Sequence, residues 1–145
     1  MRVSEIMTRD VVAVPVDATL VEAAQLMRDH NIGFLPVIAS DVLVGVVTDR
    51  DLVVRGLCEN MNPALTPVRS VMSTNPVWCY EEDVLTDAAD ILADNHVHRL
   101  IVVDSDRKLS GLFSLDDLAM NMSSNRLLSD LVRQVSTASQ SGGTK

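Results

Sequence analysis

The chain has 145 residues, 47% of them hydrophobic and 22% charged, with a formal net charge of −8. That is enough apolar material for one core or two small cores sharing an interface, so disorder is excluded for most of the chain. The acidic balance without a basic run, and an aromatic content of only 3%, exclude a phosphate-backbone surface and a base-stacking platform, so nucleic acid is not an expected partner.

From the N-terminus, Arg2 and Glu5 interrupt the chain too early for the apolar core of a signal peptide. No apolar stretch approaches the roughly 20 residues that span a bilayer. A cytoplasmic location with no membrane contact is the expectation. Cys58 and Cys79 lack the spacing of a redox or zinc motif and are expected to be reduced, inert thiols.

A short segment, Val3 to Thr8, leads into the β-prone run Val11-Val12-Ala13-Val14. Thr19 with Glu22 forms a capping-box signature, and Leu20, Ala23, Ala24 and Met27 then fall on one helical face. An apolar strand follows at Phe34 to Ile38, then the polar turn Ala39-Ser40-Asp41 and a second strand that ends in Gly45-Val46-Val47-Thr48. Another helix begins at Asp51. The stretch 60–67, with Pro63 and Pro67, reads as a linker.

The same order then recurs. Met7 and Met72 lie 65 positions apart, and at that offset Leu20 meets Leu85, Ala23-Ala24 meet Ala88-Ala89, and Leu35 meets Leu100. Val68 to Ser73 repeats the leading segment, Val77 to Tyr80 the first strand, and Leu100 to Val103 the second. Gly111-Leu112-Phe113-Ser114 with Asp117 repeats Gly45-Val46-Val47-Thr48 with Asp51. The expected fold is α/β (α+β): two βαββα repeats packed as a pseudo-two-fold pair, repeat one at 1–59 and repeat two at 68–124. A C-terminal helix with Leu127, Leu128, Leu131 and Val135 on one side and a disordered tail are expected within 125–145.

Each repeat ends its second strand in a hydroxyl residue with an aspartate three positions on. Read locally, this is a helix cap: hydroxyl and carboxylate satisfy free N–H groups at the helix start. Read chemically, a helix start attracts phosphate and a carboxylate beside it can accept both hydroxyls of a ribose. The two readings are compatible, and duplication favours the second.

With these motifs in place, the chain resembles a tandem pair of CBS domains, the family named after cystathionine β-synthase, over roughly residues 1–122. The resemblance implies a regulatory module, usually a homodimer joined through its helices, with clefts between the repeats; because the sequence shows no nucleophile–base pair, metal cluster or P-loop and has little beyond the pair, a stand-alone module with no catalytic activity is expected. Those clefts would take adenosine-containing ligands: AMP, ADP, ATP, NAD-type dinucleotides or S-adenosylmethionine. Carried over by position, Asp51 and Asp117 would hold ribose hydroxyls, and Thr48 and Ser114 would contact ribose or phosphate. Backbone groups near Gly33, Phe34, Leu35 and Pro36 in repeat one, and near His98, Arg99 and Leu100 in repeat two, would face the adenine.

The repeats differ here. Gly33 and Pro36 have no counterpart in His98-Arg99-Leu100-Ile101, where Arg99 suits bidentate contact with a phosphate, so the two clefts are expected to be unequal. Arg50 is a further candidate for a phosphate, set against a solvated or acid-paired arginine. His96 and His98 alternate as on a strand, but no third ligand lies nearby and no metal is expected. Any signal would pass to an unidentified protein effector. The alternative is a structural dimerisation module with degenerate clefts.

Overall fold

The computed structural model describes residues 1–121 and Arg133; the expected C-terminal helix at 126–135 and the tail at 136–145 lie otherwise outside the described residues. The chain forms β1 (Val14–Pro15), α1 (Leu20–His30), β2 (Phe34–Ala39), β3 (Val42–Thr48) and α2 (Asp49–Asp51), then β4 (Trp78–Tyr80), α3 (Leu85–Asn95), β5 (Arg99–Val103), β6 (Leu109–Ser114) and α4 (Leu115–Asn121). The βαββα order is thus present twice. The strands make two three-stranded sheets, β1-β2-β3 and β4-β5-β6, each with its first pair parallel and its second antiparallel.

The local signals act as their chemistry dictates. Thr19 Oγ1 accepts from the Glu22 N–H at 3.2 Å and Glu22 Oε1 accepts from the Thr19 N–H at 3.0 Å, closing the capping box of α1. Helices α1 and α3 stop where Asn31 and His96 take left-handed conformations, with φ of 53° and 54°. His96 is therefore a helix C-cap, and β5 begins only at Arg99, so His96 and His98 do not alternate along a strand. Between β2 and β3, Ser40 and Asp41 both have positive φ, the two-residue turn whose twist matches a hairpin. The longer loop between β5 and β6 is closed by Asp104, whose carboxylate accepts from the N–H groups of Asp106 and Lys108.

Two elements differ from expectation. The strand expected over 11–14 is realised only at Val14 and Pro15. The Val11 N–H turns back to the Arg9 carbonyl at 3.0 Å, which takes this stretch out of the ladder. Beyond Asp51 the helix widens into a π-helical turn, Leu52–Gly56, and then tightens into a 3₁₀ turn, Leu57–Glu59.

The chain divides into two compact units, one of residues 12–76 and the other of Met1–Val11 with Val77 onward. These are not the sequence repeats, because each leading segment joins the unit built by the other repeat. In the first-named unit, the Val68 N–H bonds the Ala18 carbonyl at 2.7 Å, Ser73 and Val46 exchange two backbone bonds, and Val68 and Val71 enter a core of Leu20, Ala23, Leu35, Val37 and Val47. In the other, the Val3 N–H bonds the Asp83 carbonyl, Thr8 and Leu112 exchange two bonds, and Val3 and Met7 enter a core of Leu92, Leu100, Val102, Phe113 and Leu118.

Candidate functional site

The crossing segments explain the glycine that opens each signature. A Cβ at Gly45 would lie 2.6 Å from the Ser73 carbonyl oxygen and 2.9 Å from Met72 Sδ; at Gly111 it would lie 2.6 Å from the Thr8 oxygen and 2.8 Å from Met7 Sδ. Only a residue without a side chain lets the leading segment pass at that distance. The Met-Thr and Met-Ser pairs are thus the other half of the same contact.

At the end of β3, Thr48 pairs with Phe34, and the next N–H, that of Asp49, bonds the Gly33 carbonyl at 3.0 Å. The turn therefore sits against the start of β2, which brings Thr48, Asp51, Gly33 and Phe34 together. Thr48 Oγ1 accepts from the Asp51 N–H at 3.1 Å and Asp51 Oδ2 accepts from the Thr48 N–H at 2.9 Å. The cap is real, and it uses one carboxylate oxygen. Asp51 Oδ1 points elsewhere, to Arg55 Nε at 3.9 Å, and the Asp51 side chain keeps 19% of its surface exposed.

Leu35 and Pro36 are buried, and the Leu35 side chain belongs to the core, so a ligand could meet only their backbone. Arg50 is exposed on the turn. The Asp49 carboxylate lies over Gly33, 2.8 Å from where a Cβ would be, and as an exposed side-chain tip it could move aside for one.

The second copy repeats this geometry with different side chains. Arg99 pairs with Ser114, and the Leu115 N–H bonds the His98 carbonyl at 2.9 Å. Asp117 Oδ2 accepts from both the Ser114 N–H and the Ser114 hydroxyl, at 3.0 and 3.1 Å, and the Asp117 N–H donates to Ser114 Oγ at 3.2 Å. Again the cap occupies Oδ2 and not Oδ1. His98 and Arg99 are exposed, whereas Leu100 is fully buried. Where repeat one sets Asp49 against Gly33, repeat two sets Leu115 beside His98, so the two sites differ in charge and in room.

Two neighbours of these sites were not assigned to them from sequence. Ser73 pairs with Val46, two residues before Thr48, and Thr8 pairs with Leu112, two residues before Ser114. Nothing in the pattern of a leading segment says which sheet it will join; the glycine with no turn to make was the available signal. Helix α2 has three residues before the π-helical turn, and α4 is described from Leu115 to Asn121. Each turn offers a carboxylate and a hydroxyl at a helix start. Among the described residues no three His, Cys, Asp or Glu side chains gather as a metal set, and no helix is long and apolar enough to cross a membrane.

The family model described as CBS domain matches the chain over residues 3–56 and 68–124. Over 134 residues the chain is 37% identical to the CBS domain-containing protein YhcV of Bacillus subtilis (strain 168), covering 92% of this chain and 94% of that one. Among solved structures it is similar to Hypoxic Response Protein I with two coordinated zinc ions, with a TM-score of 0.75 and 28% identity over 84% of this chain and 99% of that one. It is also similar to CBSX2 in complex with AMP, with a TM-score of 0.69 and 28% identity over 82% of this chain and 93% of that one.

Proposed function

The chain belongs to the CBS domain family, and from that premise we propose that it is a regulatory, non-catalytic module that binds an adenosine-containing ligand and signals through a protein effector. The observation that carries this reading is the turn built twice to one plan. In each, a Thr or Ser and an Asp close a cap through Oδ2 against the first residues of a neighbouring strand. Asp51 and Asp117 would receive ribose hydroxyls on Oδ1, Thr48 and Ser114 would contact ribose or phosphate, and the strand starts at Gly33–Pro36 and His98–Leu100 would face the base. Arg50 and Arg99, both exposed, would supply positive charge to a phosphate.

AMP is the first ligand to test, because CBSX2, 28% identical, is solved with AMP. ATP, NAD and S-adenosylmethionine complete the set. We also propose a cytoplasmic homodimer. Leu20, Val21, Ala24, Leu52 and the exposed Leu57 line an apolar groove of about 440 Å³ between α1 and the π-helical turn, and Val53 and Val54 are exposed on that turn, a face suited to a second copy.

Titration calorimetry of nucleotide-stripped protein with AMP, ATP, NAD, NADH and S-adenosylmethionine tests the reading. A charged hydrogen bond is worth about 1.5–3 kcal/mol, so Asp51→Ala or Asp117→Ala should weaken a ligand at its site roughly ten- to a hundredfold. The caps themselves favour a second reading, a structural dimerisation module, because capping alone accounts for both aspartates. Folded, dimeric protein that binds none of these ligands would establish it.

A further inference from the structure

The π-helical turn after Asp51 places Arg55 where it touches two things at once. Its Nε lies 3.9 Å from Asp51 Oδ1, and its Nη1 donates to the carbonyls of Val71 at 3.2 Å and Met72 at 3.3 Å. Val71 and Met72 immediately precede Ser73, which exchanges backbone bonds with Val46 at 2.8 and 3.0 Å. Three residues beyond Ser73 the chain leaves this unit, at Pro76. One side chain thus joins the oxygen that the cap does not use to the segment by which the chain departs.

Among the described residues the second copy shows no such link. Asn121 stands at the position of Arg55, and its Nδ2 turns back to the Asp117 carbonyl at 2.7 Å. It has neither the charge to pair with Asp117 nor, in this rotamer, a bond to the segment around Thr8.

From this contrast we infer that Arg55 is a positioning residue that couples the Asp51 carboxylate to the crossing segment Val71–Ser73, and that Asn121, at the matching place in the second copy, does not do so for Asp117. The Arg55 side chain is 55% exposed, so its pairing with Asp51 is screened and contributes orientation more than stability. A group that engages Asp51 Oδ1 competes for that oxygen, releases the guanidinium from its charged partner, and changes how firmly it holds the two carbonyls. The part that concerns a ligand rests on the adenosine-binding reading; the link between Asp51 and the segment does not.

Amide hydrogen exchange at Val46 and Ser73, followed by NMR on the full chain, tests both parts. In ligand-free protein, Arg55→Met should speed exchange at these amides severalfold, because the two carbonyls lose their clamp. Asp51→Asn keeps an acceptor for the cap but loses the charge. It should speed the same amides in the wild-type background and add nothing in Arg55→Met. Additive effects, or an Arg55→Met protein that exchanges like wild type, would overturn the inference. So would an equal response of Thr8 and Leu112 to Asp117→Asn, where Asn121 stands in place of Arg55.

Adding AMP at saturation should alter exchange at Ser73 in wild type and leave it unaltered in Arg55→Met; binding without a change at Ser73 refutes the ligand-coupled part. If calorimetry shows that AMP does not bind wild type, that is a failure of the AMP reading. The ligand-free comparison of Arg55→Met and Asp51→Asn then decides the role of Arg55 by itself.

Discussion

Gly45 and Gly111 show how single positions in this chain are set by what passes over them. Each faces a carbonyl oxygen at 2.6 Å from the site of a Cβ, and a backbone carbonyl within a two-bond ladder cannot swing aside as a side-chain tip can. Gly111→Ala should therefore cost about 1–3 kcal/mol, the range of core overpacking, read as a lowered urea midpoint; an unchanged midpoint would show that the Thr8 segment yields freely. Cys79 is constrained by burial instead. At 1% exposure, and with Asp83 adding to the effect, its thiol is pushed from the ordinary 9.0 up to about 12. The unfolded chain ionises this thiol above about pH 9 and the folded one does not. Its contribution to stability is therefore complete below pH 9 and drains away between pH 9 and 12, by at most about 1.4 kcal/mol per pH unit. The stability gap between wild type and Cys79→Ala should narrow as denaturation is repeated from pH 8 to pH 10.5, and a constant gap would refute the assignment.

Comparison of α1 with α3 turns a difference between the repeats into a measurement. Thr19 caps α1 through its hydroxyl, whereas Val84, at the same place before α3, has the same extended backbone but no side-chain acceptor. Val84 is 43% exposed, so little packing is lost on replacing it, and Asp87 stands where Glu22 closes the first box. Val84→Thr should stabilise the protein by about 0.5–1 kcal/mol, visible as a raised thermal midpoint. Caps, hairpins and the order of elements were legible in the sequence because each rests on residues a few positions apart: Thr19 with Glu22, Ser40 with Asp41, Thr48 with Asp51. The shortness of β1 was less so, since Val11, Val12 and Val14 are strand formers and nothing local marks the turn of the Val11 N–H back to Arg9. The π-helical turn was not legible at all. Val53, Val54 and Arg55 carry no local mark that separates i→i+5 from i→i+4 bonding, and with the turn went any view of Arg55 reaching the Val71 carbonyl.

Across the whole molecule, chain order and spatial order part company at the leading segments, and this too could not be read from pattern. Val3-Ser4-Glu5-Ile6-Met7-Thr8 would look the same whether it joined the sheet of its own repeat or of the other. Its partners are settled by burial at positions more than 70 residues away, where Val3 bonds the Asp83 carbonyl and Met7 lies on Gly111. A sharp expectation follows for removal of residues 2–9. If each repeat were served by its own leading segment, the loss would loosen the sheet holding Val37 and Val47. In the structure that sheet keeps Val68, Val71 and the Ser73–Val46 ladder, all untouched by the deletion. The loss falls instead on the core of Leu92, Leu100, Val102 and Phe113, which forfeits the buried side chains of Val3 and Met7, the partly buried Ile6, the bonds from the Val3 and Ser4 N–H groups to Asp83 and Glu81, and the two backbone bonds between Thr8 and Leu112. Two buried aliphatic side chains are worth about 1.5–3 kcal/mol each. Exchange protection in the truncated chain should accordingly fall at Val102, Leu112 and Phe113 by at least tenfold more than at Val37 and Val47. Equal loss at both sets would mean that the two cores unfold as one cooperative body, and greater loss at Val37 and Val47 would contradict the exchange of segments itself.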